Sequence, residues 1–175
     1  MPTVAVIVPT YRRARFLNLA IASLLAQTFA DWEAVIVDGT PEGSTLESAD
    51  PRLRYFRESE HGVSGLAQAR NFGIAQSDAR YVAYLDDDEY YYPAKLEVMI
   101  DVLERGAAGF EFAYHDVAVA AVEWVDGRLG RIGEPRRHRH PEGDPNEAIR
   151  TTVRRLCPAE GGKDDARGMR RRSGQ

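Results

Sequence analysis

Cysteine is almost missing from this 175-residue chain, which holds Cys157 and no other. One thiol excludes an intrachain disulfide framework and fits a reducing compartment. As a nucleophile Cys157 is a poor candidate, because it lies in a stretch with no local apolar pattern. Long apolar runs are lacking too, and none approaches the roughly 20 residues needed to span a bilayer. Met1-Pro2-Thr3-Val4 leads into a strand pattern with no basic stretch ahead of it. No signal peptide is therefore expected, and the chain is read as cytoplasmic, with peripheral membrane contact left open. Histidine is scarce. His138 and His140 have no cysteine or third histidine nearby, which rules out a metal site on spacing. No internal repeat is present.

What is there suits a folded α/β domain with a different kind of chain behind it. Hydrophobic residues make up 43% and charged residues 29%, as in ordinary globular proteins large enough to bury a core. The net charge of −4 hides an asymmetry. Residues 1–127 hold 20 acidic against 10 basic side chains, and residues 128–175 hold 7 against 13. The expected organisation is an α/β domain over 1–133 and a basic, Pro/Arg-rich tail over 134–175, disordered at its end for want of apolar residues. Without interleaved aromatics or a recognised binding fold, the arginines of that tail are not expected to bind nucleic acid.

Thr3 to Val8 is a continuous β-branched apolar run, the pattern of a strand buried on both faces of a parallel sheet, and Pro9 is expected to end it. Apolar residues from Ala14 to Gln27 recur at helical spacing. Trp32 to Val37 reads as a second strand running into Asp38-Gly39, and Leu53 to Phe56 as a short third. A helix follows over Val63 to Gln76, then a fourth strand, Tyr81 to Leu85, and a helix from Pro93 to about Arg105. Strands alternating with helices predict a mostly parallel, Rossmann-like sheet. Beyond Gly109 the apolar segments Phe110 to Tyr114, Val117 to Val125 and Arg128 to Ile132 read as strands, the last two joined by a hairpin at Asp126-Gly127, and Asn146 to Leu156 as a short helix. An apolar face on Val117 to Val125, if uncovered, would favour a homodimer.

The chemistry gathers after the fourth strand, at Asp86, Asp87, Asp88 and Glu89. Four like charges so close together repel, and they cannot be buried without cations. Either the turn is simply solvated or it holds a hard divalent ion, Mg²⁺ or Mn²⁺, which takes carboxylate oxygens and leaves positions open for substrate phosphates. Open α/β sheets place ligands at the carboxyl ends of their strands. Three loops stand at such ends: Pro9 to Arg13, Asp38 to Ser44, and Asp86 to Tyr92. Tyr11 offers an aromatic face, Asp38 an acceptor, Arg70 a cation, and the acids a metal bound to phosphate, a set that suits a nucleoside diphosphate. Tyr90, Tyr91 and Tyr92 either line a sugar pocket or pack the strand exit.

The segments V-I-V-P-T-Y-R-R, A-S-L-L-A-Q-T-F-A-D-W-E-A-V-I-V-D, G-V-S-G-L-A-Q-A-R-N-F-G-I-A and Y-V-A-Y-L-D-D-D-E-Y-Y-Y-P-A-K-L-E resemble, in order and nearly collinearly, the family 2 glycosyltransferases of the GT-A fold. The resemblance covers about residues 3–105. It implies a metal-dependent, inverting transfer of sugar from a UDP-, GDP- or dTDP-sugar to a saccharide, lipid or protein acceptor. It further implies that Pro9, Thr10, Tyr11 and Arg13 lie on the nucleotide, with Tyr11 stacked on the base. Asp38 would bind base or ribose, Arg70 the nucleotide, Asp86 and Asp87 the ribose side, and Asp88 the Mn²⁺ or Mg²⁺ ion. The chain departs from the family at Val37-Asp38-Gly39-Thr40, where most relatives read V-D-D-G-S, so one acid is missing. It departs again downstream, where the general base is expected: Asp165 of Asp164-Asp165 is a weak candidate without the apolar helix that should follow. The resemblance thus implies an acceptor half that is truncated or unrelated, and an alternative function as a nucleotide-sugar-binding protein with little turnover. A haloacid dehalogenase-like phosphatase also places D-x-D after an apolar strand, but it needs later strands carrying a lysine and a second acid pair that this chain lacks.

Overall fold

The structure, a computed structural model, describes residues 1–105, residue 113, and the backbone of 117–125 and 128–138. Four strands form a parallel sheet: β1 (Val4–Thr10), β2 (Trp32–Asp38), β3 (Leu53–Arg57) and β4 (Tyr81–Tyr84), in the order β3-β2-β1-β4. Helices α1 (Ala14–Leu25), α2 (Glu58–His61), α3 (Leu66–Ala75) and α4 (Lys95–Arg105) connect or follow them. The described residues divide after Ala113 into two compact units. In the second, β5 (Val117–Val125) pairs antiparallel with β6 (Arg128–His138).

Every residue of β1 is buried, because the strand is central and has helices on both faces. Val4, Val6 and Val8 pack with Leu17, Ile21 and Leu24 of α1 and with Leu96 of α4. Ala5 and Ile7 turn the other way, onto Val35, Val37 and Ala69 of α3. This period of two is what a doubly covered strand requires. On the second face α3 lies so close that a Cβ at Gly73 would stand 2.7 Å from Ile7 Cγ2.

Element types agree with the sequence pattern, and the differences at their ends have local causes. β1 runs through Pro9 to Thr10 instead of stopping. Ile7 O accepts from Leu85 N on the β4 side, and Thr10 O accepts from Gly39 N on the β2 side. Strand alternation therefore aims Pro9 past the end of β4, where its missing N–H removes no ladder bond. α1 ends at Leu25 because Gln27 is drawn to the chain before α4. The Gln27 amide donates to Tyr92 O at 2.9 Å and its Oε1 accepts from Leu96 N at 3.0 Å, satisfying one of the orphan donors at the start of that helix. α3 begins at Leu66 and not at Val63, since Gly62 (φ 65°) and Gly65 (φ 86°) take left-handed backbone that interrupts the helix. β6 continues past Ile132 to His138. A register shift there sets residues 133–135 opposite Ala120, so Pro135 falls where pairing is already broken. Most of the strand expected at Phe110 to Tyr114, and the helix expected at Asn146 to Leu156, lie outside the described residues. Among those residues no helix is long and apolar enough to cross a membrane.

Candidate functional site

The strand order reverses between β1 and β4, since the chain moves from β1 outward to β3 and then returns to the other side of β1. Such a switch point opens a crevice at the carboxyl ends of the strands. The acidic turn crosses it. Thr10 Oγ1 donates to Asp87 Oδ2 at 2.8 Å, and both residues are only 6% exposed. Arg13 Nη1 reaches Asp87 Oδ1 at 3.3 Å and Asp88 Oδ2 at 2.5 Å. Arg70 Nη2 meets Asp86 Oδ1 at 2.6 Å. The repulsion expected among the aspartates is thus relieved by two arginines, Arg70 on Asp86 and Arg13 shared between Asp87 and Asp88, and Asp87, the buried one, also has Thr10. The Arg13 guanidinium is held above its ordinary value by Asp87 first and by Asp88 second.

Asp38, at the end of β2, is 1% exposed. Its Oδ1 accepts from Thr40 N at 2.7 Å, and its Oδ2 from the Tyr55 hydroxyl at 2.5 Å. The same hydroxyl accepts from Ser44 N at 2.8 Å. Burial pushes the Asp38 carboxyl up, but the hydrogen bonds from Thr40 and Tyr55 outweigh it and hold the group below the ordinary aspartate range. Tyr55 is pushed up to about 12, by burial and then by its bond to Asp38. Asp38 therefore works as the knot of the 38–44 loop. That loop is tied to the first one through Arg12 N, which donates to Thr40 Oγ1 at 2.7 Å from a left-handed backbone (φ 56°) uncommon for a non-glycine residue. Beside the junction a cleft of about 450 Å³ opens between Arg12, Ala14, Thr40, Glu42, Gly43 and Ser44.

Pro9, Thr10, Tyr11, Arg13, Asp38, Arg70, Asp86, Asp87 and Asp88 all come to this one edge of the sheet. Tyr11 is 56% exposed, with the Arg12 guanidinium 5.3 Å from its ring centre. Asp165 lies outside the described residues. Of the three tyrosines after the acids, Tyr91 packs the strand exit: it is buried, donates its hydroxyl to Tyr84 O at 2.5 Å, and carries Lys95 Nζ 3.3 Å from its ring centre. Tyr90 and Tyr92 are exposed. Sequence reasoning missed Tyr55, Thr40 and Glu58. The side chain of Glu58, in α2, leans over Gly39 beside Tyr11, so that a Cβ at Gly39 would stand 2.8 Å from Glu58 Oε2 and 3.2 Å from Tyr11 Cδ2. A short edge strand, L-R-Y-F-R, carries no signal that its middle tyrosine turns inward onto an aspartate.

Among the described residues no three metal-ligating side chains converge. The donor set nevertheless suits Mg²⁺ or Mn²⁺, which are held by one or two carboxylates together with substrate phosphates. Asp88, with its side chain 51% exposed and its contact with Arg13 at the rim, is the most exposed of the three aspartates of the turn.

The model of the family described as Glycosyl transferase family 2 matches residues 5–161. An uncharacterized glycosyltransferase of Rickettsia felis is 38% identical over 107 residues, which are 58% of this chain and 17% of that protein. The UDP-Glc:alpha-D-GlcNAc-diphosphoundecaprenol beta-1,3-glucosyltransferase WfgD of Escherichia coli is 28% identical over 118 residues, 65% of this chain and 46% of that protein. The chain thus spans less than half the length of either relative. Among solved structures, that of S. aureus TarS 1-349 in complex with UDP-GlcNAc is similar, at 25% identity and a TM-score of 0.48, over 58% of this chain and 31% of that one.

Proposed function

The chain belongs to glycosyl transferase family 2, and on that footing we propose that it binds a nucleoside diphosphate sugar and passes the sugar to an acceptor hydroxyl with inversion at the anomeric carbon. The observation that carries this reading is the acidic turn Asp86-Asp87-Asp88, tied to the end of β1 at Thr10, next in sequence to the exposed Tyr11, and paired with Arg13 and Arg70. A diphosphate needs positive charge, a base needs an apolar face, and a ribose needs acceptors. All three stand at this edge. The donor class is further supported by the Escherichia coli relative, whose name specifies UDP-Glc.

In this reading Tyr11 stacks on the base and Thr10 fixes Asp87 beneath the ribose. Arg70 and Arg13 exchange part of their contact with the aspartates for contact with the nucleotide. Asp88 would hold Mn²⁺ or Mg²⁺, and the ion supplies Lewis-acid stabilisation of the departing diphosphate. An acceptor hydroxyl requires a general base, a role for which Asp165 is the carboxylate the sequence offers. The test is calorimetric titration with UDP and with GDP, each with and without Mn²⁺, on the wild type and on Asp88→Ala. Metal-dependent binding of a nucleotide that Asp88→Ala abolishes is the expected result. A folded wild type that binds neither nucleotide overturns the reading.

A further inference from the structure

We infer that Glu58 is the acceptor that reads the base, so that the site prefers bases whose Watson–Crick edge carries a ring N–H, namely uracil, thymine or guanine, over cytosine and adenine. The inference rests on the nucleotide reading above and assigns specificity within that site. Two observations carry it. The first is that Asp38, the carboxylate sequence reasoning puts on the base or ribose, is fully engaged: it is 1% exposed, and both oxygens are taken by Thr40 N and the Tyr55 hydroxyl. The second is the placement of Glu58. Its Oε2 lies 2.8 Å from the point a Gly39 Cβ would occupy, and Tyr11 Cδ2 lies 3.2 Å from the same point. A carboxylate and an exposed aromatic ring therefore stand together over Gly39, a residue of that loop without a side chain.

Among the described residues Glu58 has no cation partner. The nearby ion pair is formed instead by Arg57 with Glu60, at 3.6 Å. The Glu58 carboxylate receives only a long bond from Gly65 N, at 3.4 Å. A half-buried acceptor with unused lone pairs beside a stacking surface is complementary to the edge of a stacked base. An ionised carboxylate accepts and cannot donate. It gains a charge-assisted bond from the ring N–H of uracil, thymine or guanine, whereas cytosine and adenine offer it an amino group alone and set a bare ring nitrogen, which the carboxylate repels, beside it. The position also accounts for Gly39, where a Cβ would displace this carboxylate from its place beside Tyr11. The acid missing from Val37-Asp38-Gly39-Thr40 is in effect supplied from α2.

The experiment is titration of UDP, GDP, CDP, ADP and base-free ribose 5-diphosphate, with Mn²⁺ present, into wild type, Glu58→Gln and the control Glu60→Gln, each checked for native circular dichroism. Wild type is expected to bind UDP or GDP at least roughly tenfold more tightly than CDP and ADP, the scale of one charge-assisted bond. Glu58→Gln should lose that preference while its affinity for ribose 5-diphosphate stays the same, and Glu60→Gln should match wild type throughout. Glu58→Gln with wild-type preference overturns the inference and leaves the nucleotide site standing. A wild type that binds all four nucleotides equally overturns it too. A wild type that binds none removes the site itself, and the inference with it.

Discussion

Replacing Tyr55 with phenylalanine removes one oxygen, and the structure fixes what that oxygen does. It donates to Asp38 Oδ2 at 2.5 Å and accepts from Ser44 N at 2.8 Å, while Asp38 itself is 1% exposed. A hydrogen bond to a buried charged group contributes about 1.5–3 kcal/mol, and the stranded Ser44 N–H adds a smaller cost when water can reach it. Tyr55→Phe is therefore expected to lose about 2–3 kcal/mol, read as a lower urea midpoint at unchanged slope and as a fall of roughly 4–12 °C in Tm. The pH dependence has a definite sign. The folded-state pKa of Asp38 lies below its ordinary value. Its contribution is thus present above the unfolded pKa and is lost as pH falls through the folded one. Tyr55→Phe raises that folded pKa, so the variant's deficit should shrink in acid. A cycle with Asp38→Asn should show strong coupling. Strictly additive effects, or a variant as stable as wild type at pH 7, would refute the view of Asp38 as the knot of its loop.

Other expectations follow from particular contacts. Gly73→Ala should destabilise, because a Cβ 2.7 Å from the fully buried Ile7 costs about 1–3 kcal/mol in overpacking, more than the helix gains; equal or greater stability in urea would contradict the tight α3 packing. Arg13→Ala should change stability by about 1 kcal/mol or less, since Arg13 is itself half exposed in both contacts and the buried Asp87 keeps its bond from Thr10. It should also tighten Mn²⁺ binding in the absence of nucleotide by removing a competitor for the carboxylates, and electron paramagnetic resonance of free Mn²⁺ reads this directly, weaker binding being the adverse result. Burial lowers Lys95 to about 8 even though Glu89 works to raise it. The folded state thus holds fewer protons there than the unfolded chain between about pH 8 and 10.5, and stability rises with pH across that window. ¹³C reductive methylation, with the Lys95 resonance assigned by its loss in Lys95→Arg, should show that resonance titrating near 8; Lys95 titrating above 10 would show that the ring of Tyr91 keeps the amine charged.

The sheet was legible because its evidence is local. Runs such as Val4 to Val8 and Trp32 to Val37 are β-branched and bounded by turn residues, and helical spacing in α1 and α4 survives any tertiary arrangement. The edge at which the candidate residues gather was legible for the same reason, since each loop follows a readable strand. Partner choice within that edge was not. Whether Asp38 faces a ligand or a neighbour depends on Tyr55, 17 positions away, and no periodicity encodes where an edge-strand tyrosine points. α2 was also missed, because four residues ended by a left-handed Gly62 are too few to show a repeat. Pro9 misled for a related reason: the rule that proline ends a strand assumes a neighbour on both sides, and here β4 has already stopped.

The bond from Thr10 to Asp87 spans 77 positions of sequence, and this sets an order on assembly. As the chain emerges during synthesis, β1, α1, β2 and β3 can pair with one another before β4 exists. At that stage Thr10 and Arg13 stand at an open strand end with no acids opposite. The last strand of the sheet to be made brings those acids with it. The crevice thus exists only in a chain whose sheet is complete, and a fluctuation that peels β4 away dismantles it while uncovering β1 and Leu85 of the core.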